Sequence, residues 1–330
     1  MAATFHWGIL GLGRIAHKFA ESLSAIPDAR LSAVASRDLG RAQAFAAEHG
    51  NPQAYGSYAE LLQNPQIDAV YIATRHVSHA ELAMLCLRAG VPVLCEKPWA
   101  MHAGEAQAMV DTARQHQTFL MEAIWTRFLP TTRKMLELIE AGSIGKIVGL
   151  KADFGFQTKG ETPERLFDPA LGGGALLDIG IYPAFLAQLL LGQPQEIKAM
   201  SVLSDRDIDL DTGFILRYPN DVLAHLHCTI RAKTKTEAFI YGETGTIHMH
   251  TRWHEPSTLS LLREGERPEL FTFDFPSNGY HYEAEAVMRC VRAGQTECAE
   301  LPLDFSLRLT QLLDSVRRQT GIVYPSDSPV

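Results

Sequence analysis

Three stretches of this 330-residue chain carry residue types at spacings that suit chemistry. The first is Gly11-Leu12-Gly13-Arg14-Ile15-Ala16, which fits the pattern G-x-G-x-x-G/A. Its first glycine permits a tight turn, its second lets backbone approach a pyrophosphate, and its small last residue lets a helix pack close to a strand. A helix that opens there offers unpaired N–H groups and a positive dipole end to phosphates. Gly11, Gly13, Arg14 and Ile15 are therefore candidate dinucleotide contacts.

The second stretch is Cys95-Glu96-Lys97-Pro98, which ends an apolar run. In an open parallel sheet, ligands bind beyond the carboxyl ends of the strands, so Glu96 and Lys97 are expected at the nicotinamide end of the site. Pro98 favours extended geometry at Lys97. The third stretch is Gly172-Gly173-Gly174 leading into Ala175–Tyr182. Three glycines allow a close approach. Asp178 and Tyr182, four apart, share a helical face. An aspartate among Leu, Ile and Ala needs a partner, and Lys97 is the expected one. Tyr182 as a core tyrosine is the plain alternative.

The elements that must hold these residues follow from the apolar pattern. His6–Leu10, Leu31–Ala35, Ala69–Ala73 and Pro92–Cys95 read as strands. Helical spacing appears over Arg14–Ser24, Gly40–His49, Ser57–Gln63 and His79–Ala89. Strands apolar at every position and alternating with helices predict a doubly wound parallel sheet. After about residue 121 strands dominate: 147–156, 196–203, 212–217, 223–229, 237–240 and 259–262. Helices follow at 282–293 and 305–319. The predicted fold class is α/β. A Rossmann domain over 1–121 precedes an α+β domain over 122–330 with a large, open, mostly antiparallel sheet.

The tip of the second strand should meet the adenosine ribose, and it reads Ser36-Arg37-Asp38. A hydroxyl and a planar guanidinium suit a 2′-phosphate, which a carboxylate would repel. NADP is favoured over NAD. The competing reading leaves Arg37 in solvent and gives Asp38 the ribose.

Composition narrows the class. The net charge is −8, from 38 acidic and 30 basic residues, without a dense basic patch, so nucleic acid is not an expected partner. The apolar stretch 181–192 is too short for a bilayer, and the N-terminus has no secretory pattern. Five scattered cysteines, Cys86, Cys95, Cys228, Cys290 and Cys298, lack Cys-x-x-Cys spacing. They are expected to be reduced thiols of a cytoplasmic protein. His225-x-His227 and His248-x-His250 could each present two imidazoles on one strand face, but no carboxylate has matching spacing and no metal site is expected.

Taken together, GLGRIA at 11–16, CEKP at 95–98 and GGGALLDIGIY at 172–182 resemble the Gfo/Idh/MocA oxidoreductases. EAIWTRF at 122–128 and LDSVRRQTGIVYP at 313–325 resemble its dihydrodiol dehydrogenase branch. The resemblance implies a Rossmann domain and an open-sheet domain that forms a dimer contact. It also implies oxidation of a secondary alcohol on a sugar, cyclitol or diol with NAD or NADP. Lys97 matches the EKP lysine, Asp178 the conserved-motif aspartate, Tyr182 the tyrosine of the branch and His79 a downstream histidine. Thr74-Arg75-His76 departs from the family's Pro-Asn or Pro-His pair after the fourth strand.

These matches imply catalytic roles for Lys97, Asp178 and Tyr182. Oxidation passes hydride to the nicotinamide while the hydroxyl proton leaves. Tyr182 would take it, but a phenol's ordinary pKa of about 10 suits that task only with help, such as a nearby ammonium. Lys97 is the other candidate shuttle, and the sequence leaves both open. Thr74, Arg127 and Arg165 are further cofactor candidates, and Trp125 and Phe154 are candidate substrate contacts. Phe128, Phe156, Trp253 and Tyr280 are wall residues or core. A sensor on the same fold would dispense with the lysine, aspartate and tyrosine, all present here. A lyase or glycosidase using NAD transiently is the remaining alternative. The expected assembly is a homodimer through the C-terminal sheet.

Overall fold

The computed structural model describes residues 3–158 and 164–327. The chain forms two compact units. One holds the residues up to Phe128 together with Phe275–Leu307; the other holds Leu129–Asp274 with the residues from Arg308 on. The sequence reading places its boundary at 121/122. The contacts place it at Phe128/Leu129 and return a later segment to the first unit. That return is settled by which core receives Ala284, Val287 and Cys290, all buried, and local pattern does not carry it.

The first unit is built on strands β1 (Phe5–Leu10), β2 (Ala29–Ala35), β3 (Gln53–Tyr55), β4 (Ala69–Ile72), β5 (Val93–Glu96) and β6 (Leu120–Ala123). They pair in parallel in the order β3-β2-β1-β4-β5-β6. Helices α1 (Arg14–Leu23), α2 (Leu39–Glu48), α3 (Tyr58–Leu61), α4 (His79–Arg88) and α5 (Ala103–His116) connect them. Every residue of β4, β5 and β6 is buried, as expected of a sheet covered on both faces. The expected doubly wound sheet is present.

The second unit opens with α6 (Pro130–Glu140), whose proline sits in the first turn, where it displaces no hydrogen bond. Strand β7 (Ile147–Gly155) and helix α7 (Ile181–Leu191) follow. Then come β8 (Glu196–Leu203), β9 (Asp209–Arg217), β10 (Leu223–Thr229), β11 (Ala238–Gly242), β12 (Thr246–Met249), β13 (Leu259–Leu262) and β14 (Glu269–Phe271). The eight strands pair in the order β14-β13-β12-β11-β7-β10-β9-β8. Only the β7–β10 pairing is parallel, so the sheet is mixed and mostly antiparallel, as predicted. Helices α8 (His281–Arg292) and α9 (Leu303–Thr320) close the chain. One face of the sheet packs on α7, whose residues from Ile181 to Gln188 are all buried. The helical stretch Pro169–Leu191 is apolar enough to cross a membrane by composition, but 83% of its apolar window is buried, as in a core helix.

Candidate active site

In the first unit the chain leaves β1 through Gly11 at φ +88, and its N–H donates to Ala35 O at 3.1 Å. A Cβ at Gly11 would lie 2.6 Å from Thr74 Cγ2 and 2.9 Å from Thr74 N. Only glycine serves here, in backbone angle and in space. Gly13 differs: it is exposed, and a Cβ there would meet nothing within 4 Å. It is the N-cap of α1 and supplies no side-chain cap. The helix therefore presents N–H groups beside an open approach, which fits a pyrophosphate. Ile15 is half-buried and Arg14 exposed.

At the tip of β2, Ser36 is buried and its Oγ accepts from Asp38 N–H at 3.3 Å. Asp38 caps α2, its Oδ1 accepting from Arg41 N–H at 3.1 Å. Arg37 and Arg41 are exposed.

Lys97 follows β5 and is half-buried, joined to Pro98 by a cis peptide bond. Its N–H donates to its neighbour Glu96 Oε2 at 3.1 Å. The other oxygen of Glu96 accepts from the Tyr71 hydroxyl. Glu283 adds a second buried carboxyl nearby. Burial, then Glu96, raise its pKa well above the usual carboxyl range. His79 braces this loop: Nδ1 lies 2.8 Å from Pro98 O and Nε2 3.3 Å from Thr74 O. Burial lowers its pKa to about 4, so the ring is neutral at neutral pH. Glu122 Oε1 accepts from Trp99 N–H at 3.1 Å, and burial raises this carboxyl to about 7. Trp125 stacks on Tyr280, with centroids 4.1 Å apart and planes 5° from parallel. Arg127 donates through Nε to Glu300 O at 2.8 Å.

In the second unit the expected regular helix begins with a π-helical turn, Leu176–Gly180, before α7. Such turns are frequent at functional sites. Asp178 lies in it and Tyr182 follows. Both guanidinium nitrogens of Arg165 donate to Asp178 Oδ1 at 3.2 Å. The sequence reading aimed Arg165 at the cofactor; here it supplies the buried aspartate with a partner. Phe154 lies 5.6 Å from the Tyr182 ring. His254 stacks on Phe154 at 3.9 Å and lies 5.0 Å from Tyr182. Trp253, considered as a wall residue, is fully buried and donates from Nε1 to Asp153 O at 3.1 Å; it is core.

The glycines at 172–174 admit this unit's own chain. A Cβ at Gly173 would lie 2.7 Å from the carbonyls of Arg165 and Leu166, and one at Gly174 would lie 2.2 Å from Asp209 Oδ1. Asp209 Oδ2 accepts from Leu176 N–H at 2.7 Å and from Thr212 Oγ1 at 2.9 Å. The Tyr324 hydroxyl donates to Gly173 O at 2.7 Å. This frame sets the turn that carries Asp178.

Sequence reasoning did not find His254, Asp209, Tyr71 or Glu283. None lies in a motif; the helix carrying Glu283 is read at 282–293, but the nearness of Glu283 to Glu96 and the aromatic neighbours of His254 emerge only on folding. Nor did it foresee carboxylates beside the strand histidines. His227 Nε2 lies 3.0 Å from Asp211 Oδ1 on the adjacent strand β9, and His248 Nε2 3.4 Å from Glu237 Oε2, which immediately precedes β11.

Comparison with known proteins places this architecture. Residues 5–124 match the oxidoreductase family with an NAD-binding Rossmann fold, Gfo/Idh/MocA, and residues 132–248 match the Gfo/Idh/MocA C-terminal domain. The chain is 40% identical over 333 residues to trans-1,2-dihydrobenzene-1,2-diol dehydrogenase of Danio rerio, covering 98% of each. It is 36% identical to the enzyme of that name from Homo sapiens, covering 97% of this chain and 98% of that one. Among solved structures, a 3-ketoreductase from Actinomadura kijaniata in complex with NADP and TDP-benzene superposes with TM-score 0.86 at 29% identity, covering 96% of this chain and 98% of that one. An aldose-aldose oxidoreductase from Caulobacter crescentus shares the fold, with TM-score 0.87 at 22% identity and coverage of 96% and 98%. A glycine turn shaped for a dinucleotide, an EKP lysine after the fifth strand and an aspartate and tyrosine where a π-turn runs into an apolar helix thus lie within full-length similarity, and the chain belongs to the Gfo/Idh/MocA family of NAD(P)-binding oxidoreductases.

Proposed function

We propose that the protein is an NADP-preferring dehydrogenase that oxidises a secondary alcohol of a sugar, cyclitol or trans-dihydrodiol. The observation that carries the cofactor preference is the tip of β2. Asp38 turns Oδ1 to the cap of α2, and beside it the Ser36 hydroxyl and the exposed Arg37 are the groups suited to a 2′-phosphate. Gly11, Gly13, Arg14, Ile15, Thr74 and Glu96 complete the cofactor contacts, with His79 as brace. Bound nicotinamide supplies the hydride acceptor.

On this reading Tyr182 or Lys97 takes the hydroxyl proton, and Asp178, oriented by Arg165, binds a second hydroxyl. Phe154 offers an aromatic face beside Tyr182, suited to a sugar ring or an arene diol. Trp125 is the further aromatic candidate. The five cysteines are free and buried, which supports a reducing, cytoplasmic setting. The outer face of the eight-stranded sheet carries Met200 at 82% exposure and Ile215 at 41%. We place the homodimer contact there.

Absorbance of reduced nicotinamide, followed with NADP or NAD against a trans-dihydrodiol, xylose and glucose, tests the assignment. Turnover with NADP is expected. Lys97→Met should abolish it while leaving NADPH binding nearly intact; wild-type turnover in that variant removes Lys97 from the chemistry. Arg37→Ala should lower kcat/KM with NADP by roughly 10- to 100-fold, the loss of a charge-assisted contact, and leave NAD unaffected. An equal loss with both cofactors defeats the 2′-phosphate reading.

A further inference from the structure

We propose that His17, Glu48 and His49 form a binding site for a divalent transition metal ion, with zinc as the probe. His17 lies early in α1, while Glu48 ends α2 and His49 follows it. Nδ1 of His17 is 2.8 Å from Nε2 of His49 and 3.6 Å from Glu48 Oε2. The three ligand atoms lie within 4.8 Å of one another. Ligands set tetrahedrally around zinc at their usual bond lengths stand about 3.3 Å apart. The two shortest separations bracket that value, so small side-chain rotations seat an ion.

The rings are held in place beforehand. Phe45, buried, packs against His17 at 4.5 Å and against His49 at 4.4 Å between centroids. Without an ion, one ring nitrogen must donate to the other; an ion accepts a lone pair from both. Two imidazoles and one carboxylate leave a position for water and suit zinc, copper or nickel, whereas calcium and magnesium favour all-oxygen shells. An ion held here ties α1, which opens at the glycine turn, to α2, which opens after Ser36-Arg37.

The test is calorimetric titration of zinc into the untagged, metal-stripped full chain at neutral pH. One site per chain is expected. Its affinity should fall by at least roughly tenfold in His17→Gln and in His49→Gln, and less in the exposed Glu48→Gln. Zinc should raise Tm in the wild type and fail to do so in the two histidine variants. The double variant His225→Gln/His227→Gln on the open sheet should bind as the wild type does. Absence of zinc binding, or binding that both single histidine variants keep, overturns the proposal. So does loss confined to the His225/His227 variant. Glu48→Gln changes a side chain with 65% exposure, so it keeps the test valid should a histidine variant fold poorly.

Discussion

The two sheets solve burial in opposite ways. In the parallel sheet, β4 reads Ala-Val-Tyr-Ile and each residue is buried. In the mixed sheet, β8 alternates: Lys198, Met200 and Val202 are exposed, while their neighbours are half-buried. The pairing continues the alternation across strands, Lys198 opposite Ile215 and Ile215 opposite His225. A parallel sheet needs crossover helices, and these cover both of its faces. An antiparallel sheet turns back through short connections, so only the face on α7 must be covered by the chain itself. That difference suits cofactor chemistry to the closed sheet and makes the open one the face on which we propose association.

The contrast is broken most severely by a charge. Val70→Glu, fully buried in β4, should prevent folding of the first unit, since burying an unpaired carboxylate costs several kcal/mol. Soluble, cooperatively melting protein would contradict the closed-sheet description. A smaller effect should come from Glu122, a carboxyl already inside β6. Its folded pKa, about 7, lies above the ordinary 4.5. The stability it permits is present below pH 4.5 and is lost as pH rises to about 7, on the order of 3 kcal/mol. Glu122→Gln should flatten that part of the urea-unfolding profile between pH 4.5 and 8. His79 acts in the opposite sense, its lowered pKa costing stability as pH falls from 6.5 to about 4. The difference between wild type and variant isolates Glu122; identical profiles would show that its carboxyl is solvated. The smallest effect on folding belongs to the open face. Met200→Glu should change stability by less than about 0.5 kcal/mol yet convert the proposed dimer to monomer in light scattering. An unchanged mass would move the interface elsewhere.

Much of the closed sheet is legible in sequence because continuous apolar runs, a glycine turn and helical spacing are local signals. β10 is found where its pattern places it, at Leu223–Thr229. The short β3 and β6 and helices α5 and α6 escape, the helices because polar and small residues dilute their apolar stripes. Tyr182 and Phe154 lie side by side, but His254 joins them through a non-local fold of the sheet. The Arg165–Asp178 pair joins residues thirteen apart, at a spacing no helix or strand period indicates. Asp209 is invisible for the same reason: its two donors come from β9 and from the turn before α7.

The bond from the Tyr324 hydroxyl to Gly173 O joins positions 151 residues apart. A growing polypeptide must therefore reach position 324 before the turn bearing Asp178 can be fastened. Proteolytic trimming upstream of that tyrosine would leave every residue of the three motifs in place while releasing the aspartate from its frame.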